Sequence, residues 1–137
     1  MKASAEDCLT LAKTIWGEAR SESYLGQCEI AWVVLNRINS GRWFGGKTIT
    51  ATCLMPEQFT CWNVDDPNRM KLDGLTLDDP YFQVAMNAAL SVITGVAIPT
   101  GTKETHYYRT GTQLPKWAIG KTRSFKIGNH EFFGDIP

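Results

Sequence analysis

The chain has 137 residues, with 14 Lys+Arg against 14 Asp+Glu, so its formal net charge at pH 7 is zero. Hydrophobic residues make up 43% and charged residues 20%, the usual proportions of a globular fold, and the length suits one compact domain over residues 1–137. This balance gives no basic footprint for nucleic acid or an anionic membrane, and without an apolar run of about 18 residues no stable membrane insertion is expected.

Helix signals open the chain. Ser4 and Asp7 form a capping-box pattern with Asp in the place of Glu, and Cys8, Leu11, Ala12, Ile15 and Ala19 then recur at helical spacing. The stretch from Met1 to Asp7 runs straight into acids with no apolar core, so no signal peptide is expected. A polar break at Ser21-Glu22-Ser23 precedes a second helix over about Tyr24 to Asn39. That segment is apolar on most sides between Ile30 and Leu35, which marks a central buried helix, and Gly41 ends it as a glycine cap.

Between Arg42 and Pro80 the periodicity is lost. Gly45-Gly46, Pro56, Pro67 and Gly74 punctuate this stretch, with one short helix expected near Thr48–Leu54. So long an irregular segment in a small domain points to the wall or lid of a functional site. Asp79-Pro80 then supplies an N-cap and a first-turn proline for a helix closed by Gly95. Residues 81–100 carry no charge, yet Gln83, Asn87, Ser91 and Thr94 make a polar stripe opposite Phe82, Ala85, Met86, Ala89, Val92 and Ile93. The stripe identifies an amphipathic core helix, not a membrane span.

The last third turns to β signals. Thr105–Tyr108 favours a strand, and Phe125–Ile127, Gly128-Asn129 and His130–Phe133 read as a hairpin with a Gly-first two-residue turn. The expected class is α+β, a mainly helical lobe followed by a small antiparallel sheet in the C-terminal third. Charge divides unevenly over this layout. Residues 57–80 hold six acids against two bases, and residues 101–137 hold six bases against three acids.

Chemistry is concentrated at the end of the first helix. Glu18 sits among Ile15, Trp16 and Ala19, where desolvation raises a carboxyl pKa toward that of a general acid. Glu22 lies four residues on and would share the face of a continued helix as a second carboxylate. The competing reading is a polar helix end, with Glu18 or Glu22 paired to Arg20 or a distant base. Trp43, Phe44, Phe59 and Trp62 in the irregular stretch, and Tyr107, Tyr108 and Trp117 in the basic third, offer flat faces for sugar rings, with Gln58, Thr60 and Asn63 for hydroxyls. About half of these aromatics are expected to fill the core instead.

Other chemistries find less. Cys53 and Cys61 are too far apart in sequence for a zinc pair and no His-Glu-x-x-His occurs, so neither metal nor other cofactor is expected. His106 and His130 read as structural. No Gly-x-Ser-x-Gly elbow or phosphate-binding glycine motif is present. Cys8 and Cys28 on apolar helix faces read as inert thiols, and the sequence does not decide whether Cys53–Cys61 or Cys8–Cys28 disulfides form.

Longer strings go further than spacing. Ile15-Trp16-Gly17-Glu18-Ala19-Arg20-Ser21-Glu22, Gly26-Gln27 and Ala31-Trp32-Val33-Val34-Leu35-Asn36-Arg37 strongly resemble SleB-type cell-wall hydrolases. That family is named for spore-cortex-lytic enzymes and has relatives among bacteriophage endolysins. The likeness continues in order through Thr48-Ile49, Gln58-Phe59-Thr60-Cys61-Trp62, His106-Tyr107-Tyr108, Pro115-Lys116-Trp117 and Ile127 to Phe133. One departure is Ser21, where the family usually has Gly.

The resemblance implies a lysozyme-like catalytic domain, monomeric, acting on the glycan strands of peptidoglycan. Glu18 then takes the position of the catalytic acid, cleaving between N-acetylmuramic acid and N-acetylglucosamine by lytic transglycosylation. Glu22 is the possible second carboxylate that plain hydrolysis by a muramidase would need, and Gln58, Phe59, Thr60, Trp62, Tyr107, Tyr108 and Trp117 are the expected substrate-binding residues. The rival activities are muramidase and N-acetylmuramoyl-L-alanine amidase; the non-enzymatic rival is a wall-binding or virion structural module. Without a leader, the setting expected is that of a phage endolysin made in the host cytoplasm and acting on the wall after release, with a bacterial or virion-associated origin left open by the sequence.

Overall fold

The computed structural model describes residues 2–137; Met1, the first residue of the stretch read as leader-free, lies outside the described residues. Helix α1 (Ala5–Ala19) begins at a reciprocal cap. The Ser4 hydroxyl accepts from the Asp7 N–H, and the Asp7 carboxylate accepts from the Ser4 N–H, both at 3.0 Å. The other Asp7 oxygen accepts from the Thr50 hydroxyl at 2.6 Å and the Thr50 N–H at 2.9 Å, so one side chain caps α1 and anchors α3 (Ile49–Cys53). Burial alone would raise the Asp7 pKa, but the hydrogen bonds its carboxylate accepts from Thr50 and Ser4 bring it down to about 2.

Helix α2 (Tyr24–Ser40) starts at Ser23, whose hydroxyl accepts from the Gly26 N–H, and stops at Gly41 in the left-handed region at φ 66°. Nine of its residues from Gly26 to Arg37 are buried, as expected of a central helix. Helix α5 (Pro80–Ile93) is capped by Asp79, whose Oδ1 accepts from the Tyr81 and Phe82 N–H groups. Gln83, Asn87 and Thr94 face solvent, but Ser91 is buried. There the chain folds back after the helix and the Ala97 N–H donates to the Ser91 carbonyl, covering one end of the anticipated polar stripe.

Two short elements in the irregular stretch escape the sequence reading: a 3₁₀ turn at Thr60–Trp62 and helix α4 (Arg69–Asp73). Each is too short to show a period. The main core lies between α1, α2 and α5, where Leu11, Ile15, Ile30, Val33, Val34, Phe82 and Ala89 are at most 1% exposed. Fully burying an aliphatic or aromatic side chain stabilises by about 1.5–3 kcal/mol, so this seam dominates the favourable side of folding.

Strands β1 (His106–Arg109), β2 (Phe125–Ile127) and β3 (His130–Phe133) form an antiparallel sheet in the order β1-β3-β2. Ile127 pairs with His130 across the Gly128-Asn129 turn, and Gly128 takes the positive φ of 56° that a Gly-first turn requires. Alternation along β3 sends Phe132 into the main core and Phe133 to a second cluster with Ala118 and Ile136. The sheet is fastened to α2 by Asn36, which donates to the Glu104 carbonyl at 2.9 Å, and by Arg37 Nε, which donates to the Thr105 carbonyl at 2.7 Å. All four cysteines are free thiols.

Candidate active site

Glu18 occupies the last turn of α1, one residue before the helix ends. The preceding residue explains how its surroundings are built. A Cβ on Gly17 would lie 2.5 Å from Cys61 Cβ and 2.7 Å from Cys61 Sγ, so glycine alone lets the 3₁₀ turn pack this closely against the helix. Trp62 fixes the same turn by donating its Nε1–H to the Thr14 hydroxyl at 2.9 Å. The close approach brings the Cys61 N–H to 3.2 Å from Glu18 Oε2, while Tyr107 on β1 donates its hydroxyl to Oε1 at 2.7 Å. Helix, loop and sheet thus converge on one carboxyl group.

Burial is the largest influence on that group and raises its pKa, and the charge of Asp66 adds to the rise. The hydrogen bonds from Tyr107 and Cys61 stabilise the carboxylate and oppose it, but the net direction is upward. A carboxyl group that holds its proton to higher pH than a free glutamate, yet is solvated by two donors once ionised, has the properties of a proton donor that must also tolerate charge. Arg20 does not neutralise it. Its guanidinium lies 4.0 Å from the centre of the Trp16 ring and donates to the Trp16 carbonyl and Asn68 Oδ1.

Glu18 opens on a groove of about 550 Å³ between the helical lobe and the sheet. Gln58, Thr60, Tyr107, Tyr108 and Trp117 line it, so these expected binding residues come together with Glu18. Phe59 and Trp62 do not. Phe59 is 1% exposed in the main core, and Trp62 is turned to Thr14 with Arg69 over its ring. Alternation along the loop sends the neighbours Gln58 and Thr60 outward and Phe59 inward, a distinction that an irregular sequence does not display.

Glu22 is placed differently from the shared helix face expected of it. The helix ends at Ala19, and Glu22 lies in the turn to α2, 8% exposed. Its Oε1 accepts from the Asn129 N–H at 2.8 Å and its Oε2 from Asn129 Nδ2 at 2.9 Å. Burial would raise its pKa, but the Asn129 hydrogen bonds, helped by His130 and Arg109, hold it below the usual glutamate value. Glu22 therefore grips the hairpin turn and does not line the groove.

Other residues also line the groove, among them Trp43, one of the aromatics expected to offer a face to sugar rings. Trp43, 69% exposed, stands at the lip, and Arg37, Arg109 and His130 face the interior. Trp43 had only its aromatic character as a signal. Arg37 lies on α2, was not singled out from the sequence, and is 4% exposed. Its guanidinium stacks over Phe59 and Phe44, and Nη1 donates to Gln58 Oε1 at 3.2 Å. His106 is wedged between Phe44 and Trp117, and burial followed by the nearby Arg37 charge drops its pKa to about 3. Among the described residues no three His, Cys, Asp or Glu side chains gather as a metal site.

Comparison with known proteins follows the same outline. The family model described as Cell Wall Hydrolase matches residues 21–133. A spore cortex-lytic enzyme of Bacillus cereus is 32% identical over 129 residues, covering 94% of this chain and 44% of that protein. One from Bacillus subtilis is 30% identical over the same length, covering 38% of that protein. The chain thus spans less than half the length of these relatives. Among solved structures, the catalytic domain of the Bacillus cereus SleB protein superposes with a TM-score of 0.73 at 28% identity, covering 96% of this chain and 91% of that one. The catalytic domain of a germination-specific lytic transglycosylase SleB from Bacillus anthracis gives the same TM-score and identity, covering 94% of each.

Proposed function

The chain belongs to the cell wall hydrolase family, and from that premise we propose that residues 1–137 form one catalytic unit that cuts the glycan strands of peptidoglycan at the bond between N-acetylmuramic acid and N-acetylglucosamine. The family match begins beyond Glu18, so the role of Glu18 rests on its geometry. The observation that carries it is a desolvated carboxyl group, braced by Tyr107 and the Cys61 N–H, at the floor of a groove edged with aromatic and polar side chains.

In the proposed reaction Glu18 gives its proton to the bridging oxygen as the C1–O4 bond breaks, and the electron pair leaves with that oxygen. The two donors then hold the glutamate as a carboxylate. That carboxylate takes the proton of the muramyl C6 hydroxyl as its oxygen closes onto C1, giving a 1,6-anhydro end and restoring protonated Glu18. Lytic transglycosylation is favoured because Glu22, the second carboxylate that hydrolysis was expected to use, is committed to Asn129 and does not line the groove. Paired-acid hydrolysis needs two carboxyl groups about 5–9.5 Å apart across the scissile bond. Gln58, Thr60, Tyr108 and Trp117 bind the sugars, with Trp43 at the lip; Phe59 and Trp62 support the loop from beneath.

Mass spectrometry of digested sacculi tests this reading. New glycan ends carrying anhydromuramic acid are expected. Release of free stem peptides from uncut glycan would instead identify an amidase, and an undigested sacculus would identify a wall-binding module.

A further inference from the structure

His130 is 3% exposed yet lines the same groove as Glu18. Its Nδ1 is buried, lacks a hydrogen-bond partner and lies 3.7 Å from Glu22 Oε1. Nε2, on the other side of the ring, is therefore the nitrogen that can meet a ligand. The ring is braced edge-on against Tyr107, with centroids 5.1 Å apart. Glu22 is fixed by both Asn129 donors, and a Cβ at Gly128 would collide with its Oε1. The hairpin turn thus holds a carboxylate 3.7 Å from one nitrogen of an imidazole that lines the substrate groove, an arrangement suited to orienting a general base. Apo distances in such pairs are commonly long and shorten when substrate binds.

We propose that the Glu22–His130 pair is a second proton acceptor in this groove, giving the enzyme a hydrolytic activity beside transglycosylation. A water molecule, in place of the C6 hydroxyl, bonds through its oxygen to C1. Its proton passes to His130 Nε2, and Glu18 protonates the departing bridging oxygen as in the first reaction. The products are a reducing N-acetylmuramic acid and a free C4 hydroxyl. The imidazolium, stabilised by the Glu22 carboxylate, then gives its proton to solvent, and Glu18 regains one. This inference rests on the glycan-cleaving reading above and adds the question of which hydroxyl attacks.

The charged and titratable groups facing His130 are Glu22 from the α1–α2 turn, and Tyr107 and Arg109 from β1, Arg109 being its partner in the sheet register. Burial lowers the His130 pKa, the Glu22 charge opposes this and Arg109 reinforces it, so the ring stays neutral to lower pH than a free imidazole. Acidification removes that base.

The test counts borohydride-reducible muramic ends against anhydro ends in sacculus digests by mass spectrometry. Both kinds are expected from the unmodified protein near neutrality, with the reducible fraction falling as the pH is lowered below the ordinary imidazole range. His130→Gln and Glu22→Gln should each lower the ratio of reducible to anhydro ends at least about tenfold, whatever the total rate. Anhydro ends alone from the unmodified protein, a ratio flat with pH, or an unchanged ratio in His130→Gln overturns the proposal. The pH series needs no substitution, so a variant that fails to fold leaves the proposal exposed to disproof. Absence of new ends of either kind would overturn the glycosidic reading itself.

Discussion

At the residue scale, Glu18 is set by opposed influences, and their balance is measurable. Burial and Asp66 raise its pKa, while Tyr107 and Cys61 lower it. A general acid works only while protonated, so the rate should fall as pH rises through the Glu18 pKa. Tyr107→Phe deletes the donor at 2.7 Å and removes a lowering influence. The alkaline limb should then move upward, with a reduced maximal rate because the carboxylate formed on proton transfer loses a donor. A limb that stays in place or moves down would contradict this balance. The desolvation of Glu18 was legible because its local neighbours Ile15, Trp16 and Ala19 are apolar. Tyr107, 89 positions away, supplies a partner that no window around Glu18 contains.

Elements carry the next level of constraint, and Gly17 is the clearest case. Judged as a helix residue it is a defect, since alanine is better by about 1 kcal/mol in a helix interior. The structure reverses that expectation, because a Cβ there meets the Cys61 side chain at 2.5–2.7 Å. Overpacking of this kind costs about 1–3 kcal/mol, so Gly17→Ala should lower the melting temperature and, by pushing the 3₁₀ turn away, weaken the Cys61 N–H bond to Glu18 and the activity with it. A higher melting temperature with full activity would show that the approach is loose. The longer elements were readable because capping residues mark their ends: Ser4 with Asp7, Gly41, and Asp79 with Pro80. Helix α4 and the 3₁₀ turn were not, because five and three residues carry no period and tertiary contacts alone stabilise them.

For the whole molecule, the neutral total conceals a division of labour between helical lobe and basic sheet end, and the groove lies where they meet. The Glu22–Asn129 clamp is one of the few polar ties across that boundary. Glu22 has a folded-state pKa below its ordinary value, so the stability it contributes is present above the unfolded pKa of about 4.3 and is lost as pH falls through the folded value. Hydrogen exchange should therefore show the β2–β3 hairpin amides opening in acid before those of α1 and α5. Simultaneous opening would mean that the clamp contributes nothing separate. The α+β layout and the hairpin were readable from sequence, but the clamp was not. The sequence places Glu22 one turn from Glu18, and only the end of α1 at Ala19 turns it to the sheet instead.

The proposed chemistry depends on a proton held by Glu18, and Glu18→Gln tests that dependence most directly. The substitution keeps the size of the side chain and removes its acidity. The measurement is the rate of soluble muropeptide release from sacculi, taken beside a melting curve of the same preparation. A loss of at least about a hundredfold, with a melting temperature equal to or above that of the unmodified protein, is the predicted result. Release within about tenfold of the unmodified rate would contradict a general-acid role for Glu18.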